Sequence, residues 1–454
     1  MNNATILLFI LLIIMAGLAV AVVFFYVYWR RVQRPTPTLD GELRLCCLDG
    51  PVEMMRDRYG IPHIYAESDA DLFRALGFAH AQDRLWQMEQ NRRTAKGELA
   101  EAFGPAALDA DRFSRIVGFR RAAEKELEAL DPATRQVVDW YVQGVNAFID
   151  GHPGRLAAEF NLLRLAPAPW TAADTLACGK MMAWSMSVNW ESELVRLQLL
   201  QRVGAIRAAD LEPDYPAETP VILDALGETE ATRLLQTAGL MLNQYDGVKK
   251  WFGMEGEGRG SNSWVLAPKR STTRRPLLCN DPHMAVQVPS AWYEVHLSSP
   301  GYEVSGATLP GIPGVMLGHN RNIAWGMTAA LCDVQDLFVE RRHADDAELF
   351  EYEGRWERAE VVEESIIIRG QAAPSVERVI VTRHGPIVDS LAGDAGRSAN
   401  GELAFALQWT GHAPGSTLGA VLALNRASDW ETFQTALAEW VDPPQNVTFA
   451  DIDG

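Results

Sequence analysis

Two apolar periodicities divide the chain, with a glycine-rich stretch between them. Up to Gly239, apolar residues mostly recur every three or four positions, the spacing that gives a helix one buried face. Ser68 followed by Asp71 forms a capping-box pattern, and Leu72, Leu76, Ala79 and His80 then repeat at helical spacing through Met88. The same spacing predicts helices over Ala122–Leu130, Thr134–Ile149 and Ala172–Leu200. Ahead of them, Val52–Tyr65 reads as strand, turn, strand, broken at Gly60 and Pro62. Beyond Gly260, Ser263–Leu266, Trp292–Leu297, Ser365–Ile368 and Arg378–Thr382 have strand character, separated by turns such as Leu309-Pro-Gly-Ile-Pro-Gly314. Helical spacing returns at Leu418–Ala427 and Asp429–Ala438. Residues 240–260 carry four glycines in their last eight positions and no clear period, and read as a spacer. An α-rich half, a joint and a β-rich half imply an α+β protein.

The chain has 454 residues, 48% of them apolar, with 14 tryptophans, which is ample for a large core and argues against disorder. With 41 basic and 59 acidic residues the net charge is −18, which disfavours nucleic acid as a partner because phosphate binding needs a basic footprint. Cys46, Cys47, Cys178, Cys279 and Cys332 are odd in number and include an adjacent pair, so they make a poor disulfide framework.

Ala4–Trp29 is a run of 26 residues without a charge, followed by Arg30, Arg31 and Arg34. As a helix it would span roughly 39 Å, enough for the roughly 30 Å hydrocarbon layer. Basic residues after the run and the bulky Phe24–Trp29 favour an uncleaved anchor over a cleaved signal peptide. The positive-inside rule alone would keep the C-terminal side in the cytoplasm, but long domains are exported regardless of nearby charge. Pro35–Pro37 then reads as a short stiff spacer. At the other end, Val447-Thr-Phe-Ala-Asp-Ile-Asp-Gly454 reads as a strand entering an Asp-Gly turn with no returning strand, so the chain is expected to be truncated at its C-terminus.

Several hydrolase signatures are absent. Arg259-Gly-Ser-Asn-Ser263 does not match the Gly-x-Ser-x-Gly elbow, and no His-Glu-x-x-His occurs. What stands at the joint is Gly258-Arg-Gly-Ser-Asn-Ser-Trp264. The Ser261 hydroxyl can attack the preceding Gly260 carbonyl, and a glycine there tolerates the strained backbone this requires. Cleavage would leave a serine with a free α-amine of reference pKa about 7.7–8.0, able to act as base for its own hydroxyl. Gly-Ser by itself is extremely common and is far more often a flexible linker.

The flanking segments resemble the penicillin acylase family of N-terminal-nucleophile hydrolases, from about Gly41 to Gly454. Matching stretches are Arg58-Tyr-Gly-Ile-Pro-His-Ile-Tyr65, Gly77-Phe-Ala-His-Ala-Gln-Asp-Arg-Leu-Trp-Gln-Met88 and Ser261-Asn-Ser-Trp-Val265, the last similar to the start of the family's β chain. Asn280-Asp-Pro-His283, Gly318-His-Asn320, Ala324-Trp-Gly-Met-Thr-Ala329 and Thr382-Arg-His-Gly-Pro386 fit as well. The resemblance implies an αββα sandwich of two antiparallel sheets between helices. It divides the chain into an anchor (1–34), a helical α-subunit-like segment (35–239), a processing linker (240–260) and the beginning of a β-subunit-like segment (261–454).

The resemblance also implies roles for residues. Ser261 would be both the cleavage site, with Gly260, and the nucleophile. His283 would support it, while the Ala329 N–H and the Asn446 side chain would hold the oxyanion. The family's arginine soon after this asparagine has no counterpart in the sequence, which leaves a catalytically inactive, membrane-tethered scaffold as an alternative. Glu193, Asp333, Gln335 through its carbonyl, and Asp336 would bind a structural Ca²⁺, the alternative being a solvated acidic loop. Met181, Met182, Trp184 and Met186 would line the acyl pocket or belong to ordinary core. His63 and His80 are expected to be satisfied, partly buried histidines, and Arg92 and Arg93 to form surface or interdomain ion pairs. The expected substrate is an N-acylated small-molecule amide such as a β-lactam antibiotic, or alternatively an N-acyl-homoserine lactone. The two cleaved chains are expected to stay associated, anchored in a membrane with the catalytic part outside the cytoplasm, and no organic cofactor is implied.

Overall fold

A computed structural model of the chain describes residues 3–30, 39–152, 156–187, 189–204, 207–208, 210–211, 228–254, 260–393 and 402–454. The Pro35–Pro37 spacer lies outside them. The protein is α+β. Helices cover one face of a seven-stranded sheet whose strands, in spatial order, are Val52–Arg56, Pro62–Ala66, Tyr293–Ser299, Tyr302–Leu309, Ile312–Asn320, Ile323–Ala329 and Gln445–Asp451. Pairing is antiparallel throughout except at Pro62–Ala66, which runs parallel to Tyr293–Ser299 with His63 opposite His296. The sheet therefore takes two strands from the N-terminal segment and five from the segment after Gly260. A second β layer, the antiparallel hairpin Gly260–Leu266 and Leu277–His283, packs on the strands Ile323–Ala329 and Gln445–Asp451.

One continuous hydrophobic core spans both segments, from Ile64, Leu72 and Phe113 to Trp325 and Trp409. The helix Asp69–Lys96 begins as the sequence predicts: the Ser68 hydroxyl accepts from the Asp71 N–H. Only half of the capping box forms, because the Asp71 carboxylate accepts instead from the Asp49 and Gly50 N–H groups. This helix crosses Pro132–Gly151 at very short range. A Cβ on Gly77 would lie 2.1 Å from the Tyr141 carbonyl oxygen, and one on Gly144 would lie 1.8 Å from that of Arg74. At the heart of the crossing His80 is fully buried, with its ring nitrogens 2.8 Å from the Tyr141 hydroxyl and 2.9 Å from the Thr308 hydroxyl.

Three readings of the sequence need correction. Residues 240–249 are not aperiodic spacer but the end of a helix, Glu228–Lys249. Leu234, Ala238, Met241, Tyr245 and Val248 stand on its one buried stripe, and the later glycines hide that spacing. Ala172–Leu200 is two helices, Ala172–Met186 and Trp190–Val203, with Ser187 ending the first. Arg92 and Arg93 are buried, not superficial: both pair with the buried Glu89, and Arg92 also donates to the Ala168 carbonyl. The segments are tied in the same way. Arg115, Arg120 and Arg121 from the helical part converge on Glu364 in the strand Glu360–Ile366, at 2.5, 3.0 and 2.9 Å. This cluster holds the Glu364 carboxyl below its ordinary range in spite of its burial.

Replacing Glu364 with alanine strands these cations, so a loss of about 3–5 kcal/mol is expected in chemical denaturation. A second expectation concerns acid. Burial lowers the pKa of His80 from 6.5 to about 3, so its proton is bound more readily by the unfolded chain. The contribution of His80 is therefore intact above pH 6.5 and lost as pH falls from there toward 3. In His80→Gln, stability measured between pH 4 and 6 should depend on pH less steeply, by about 1.4 kcal/mol per unit.

Candidate active site

The hairpin Gly260–Leu266/Leu277–His283 carries the central residues. Its register sets Gly260 opposite His283 and Ser261 opposite Pro282. The Ser261 hydroxyl donates to the Gly260 carbonyl oxygen at 2.6 Å. Strand alternation turns Ser261 and Ser263 toward the sheet beneath, where the Ser263 hydroxyl meets that of Thr448 at 2.6 Å. Asn280 fastens the two layers. Its amide donates to the Asn262 and Met327 carbonyls, both at 3.0 Å, and accepts from the Met327 N–H at 2.9 Å. Gly326 must lack a side chain for this, since a Cβ there would lie 2.7 Å from the Asn280 Cβ. His283 points its Nε2 to the Asp281 carboxylate at 3.0 Å and lies 3.5 Å from the Asn262 amide nitrogen.

Ser261, His283 and Ala329 share the wall of one cavity of about 410 Å³. Met181, Met182 and Met186 of the helix Ala172–Met186 form another part of that wall, with Trp251, Phe252 and Trp292. Trp184 does not belong there. It lies on the opposite side of the helix from Met182 and Met186 and packs against Phe113, Phe119 and Trp409, fully buried. Behind Met182, Met186 and Met316 a smaller cavity of about 60 Å³ shares those residues as a boundary.

Asn446 stands opposite Thr328, beside Ala329, on the strand face that looks toward the hairpin. Its amide, however, donates to the Thr328 hydroxyl at 3.2 Å and the Ala329 carbonyl at 3.3 Å, and it is Gln445 that lines the cavity. Sequence reasoning gave no role to Asn280 or Gln445. Asn280 lies inside the quoted Asn280-Asp-Pro-His283 segment, yet nothing in a strand pattern reveals that its side chain bridges two layers.

A separate cluster joins the helical and β segments. Glu193, Asp333 and Asp336 bring one carboxylate oxygen each within 4.8 Å of one another. One Glu193 oxygen accepts from the Leu337 N–H at 3.0 Å, while the other is buried with no partner. Burial pushes the Glu193 carboxyl up to about 7, opposed by the Leu337 N–H and reinforced by Asp336 and Asp333. Three converging carboxylates and an orphaned oxygen fit a hard cation. Gln335 is buried beside them, its side-chain oxygen accepting from the Asn189 N–H at 3.1 Å, and Asn189 also contacts Asp333.

Residues 51–454 match the family model described as penicillin amidase. The chain is 35% identical over 371 residues to the penicillin acylase 2 proenzyme of a Pseudomonas species, covering 80% of this chain and 47% of that protein. It is 33% identical over 421 residues to the acyl-homoserine lactone acylase QuiP of Pseudomonas aeruginosa, covering 88% and 48%. With penicillin G acylase of Escherichia coli the identity is 27% over 416 residues, covering 79% and 49%. The chain thus spans about half the length of the curated relatives it matches. With its family model matched over nearly all of the residues after the N-terminal helix, the chain belongs to the penicillin amidase family.

Proposed function

We propose that this chain is part of an amidohydrolase activated by cleavage of its own Gly260–Ser261 bond, acting on the amide of an N-acylated small molecule such as a β-lactam antibiotic. The observation that carries the reading is the Ser261 hydroxyl, set 2.6 Å from the Gly260 carbonyl oxygen on the wall of the cavity that Ala329 also lines. In processing, Ser261 Oγ bonds to the Gly260 carbonyl carbon, the C–N bond breaks, and the amine takes the hydroxyl proton. Water then hydrolyses the ester, leaving the Gly260 carboxylate and a free Ser261 α-amine.

That amine serves as base when Ser261 Oγ attacks a substrate carbonyl, and it returns the proton to the leaving amine. The Ala329 N–H and the Asn446 amide hold the oxyanion, each such donor being worth roughly 2.7–4 kcal/mol. For this, Asn446 exchanges its bonds to Thr328 and Ala329 for one to substrate. His283, held by Asp281, positions the nucleophile strand. The αββα sandwich belongs to the same reading, with the hairpin as part of its second sheet.

Glu193, Asp333, Gln335 through its carbonyl, and Asp336 would hold Ca²⁺, whose positive charge would bind the two segments together. The N-terminal helix is apolar, exposed and long enough over Thr5–Tyr28 to cross a membrane, which supports an anchor, and the same reading puts the remainder outside the cytoplasm. A second reading, hydrolysis of N-acyl-homoserine lactones, is favoured by the 33% identity to the acyl-homoserine lactone acylase QuiP and by the separate small cavity that Met182, Met186 and Met316 bound. Comparing hydrolysis of phenylacetyl amides with that of long-chain acyl-homoserine lactones separates the two.

Intact mass and N-terminal sequencing should find a fragment beginning Ser-Asn-Ser-Trp in the parent protein and none in Ser261→Ala. An uncut chain in both would favour the inactive, membrane-tethered scaffold. For the cation, Ca²⁺ at about 100 times its Kd should add about 2.7 kcal/mol of stability. A chelator should reverse the gain, and Asp333→Asn or Asp336→Asn should abolish it.

A further inference from the structure

His63 and His296 meet where the N-terminal segment joins the rest of the sheet, and neither takes part in the chemistry above. They are direct partners across the parallel pair, so their side chains lie on one face. Their Nδ1 atoms face each other at 3.3 Å, with ring centroids 5.3 Å apart and planes at 68°. Two lone pairs converging at that range repel unless a proton or a cation lies between them. As an N–H···N hydrogen bond the contact is long. Two imidazole nitrogens about 2.0–2.1 Å from one tetrahedral ion, in contrast, lie about 3.3–3.4 Å apart.

We propose that His63 and His296 form a two-histidine site for a borderline divalent ion, Zn²⁺ in the first instance, across the seam between the two segments. Both rings are half-buried, which orients them while leaving the remaining coordination positions to water. Imidazole suits Zn²⁺, whereas the carboxylate cluster around Glu193 suits a hard ion, so the two sites select different metals.

The neighbours set the limits of the site. Glu303, diagonal to the pair on the same face, is engaged by Arg321. His319 is two strands beyond His296 in the same cross-strand row, past Ser305, too far to share the ion. An ion held by one residue from each segment ties the sheet together at the point where its only parallel pairing among the described residues occurs.

The test is a Zn²⁺ titration of the full chain, with Cys46 and Cys47 changed to serine to remove competing thiolates. A single saturable site is expected. It should weaken in His63→Gln and in His296→Gln by more than the roughly 10–100-fold that loss of an outer-shell partner costs. His319→Gln should bind as the parent does. Should either variant fail to fold, the parent protein alone gives the answer through diethylpyrocarbonate labelling mapped by mass spectrometry. Zn²⁺ should protect His63 and His296 together. Equal labelling with and without Zn²⁺, or unchanged affinity in both glutamine variants, would overturn the site in favour of a shared proton.

Discussion

The parallel pairing of Pro62–Ala66 with Tyr293–Ser299 makes one body of two segments with different architectures. A parallel pair cannot be made by a tight turn, so the intervening chain has to leave the sheet and return. Here it departs as the helix Asp69–Lys96 and its partners, which then cover the face they left. The close crossing at Gly77 and Gly144 presses that helical layer together, and His80 links it to the sheet through Thr308.

Polar chemistry reinforces the same seam. Glu364 gathers three arginines from two helices, and Lys180 of the helix Ala172–Met186 is buried between Glu126 and Asp442, 2.7 and 3.4 Å away. Buried charges of this kind add little net stability over apolar packing, but they are costly to separate once formed. They hold the helical segment in register with the β segment. The carboxylates around Glu193 follow the same plan, with one residue from a helix and two from the β segment.

At the candidate site the arrangement depends on layer against layer. Ser261 reaches the cavity because its strand is pinned through Asn280 to the backbone of Met327, two residues before Ala329. Ser261 and the Ala329 backbone are thereby referenced to one side chain. Met182 and Met186 both line the cavity because they recur at helical spacing, and Trp184 between them is carried to the far side of the helix for the same reason.

Sequence alone determined the family of the protein and its division into a helical and a β-rich segment. Periodicity separates helical from strand segments, and the ordered motifs from Arg58 to Pro386 identify the family, because these are properties of local spacing and residue type; the roles proposed for Ser261, His283 and Ala329 follow from that resemblance. It did not reveal the helix through Lys249, whose apolar stripe is diluted by glycine and polar residues and becomes evident only where it packs. Nor did it predict the burial of Arg92 and Arg93, the turn of the Asn446 amide toward Thr328, or the meeting of His63 with His296. Those depend on pairs far apart in the chain, whose contacts are set by strand register and layer packing and have no counterpart in local sequence pattern.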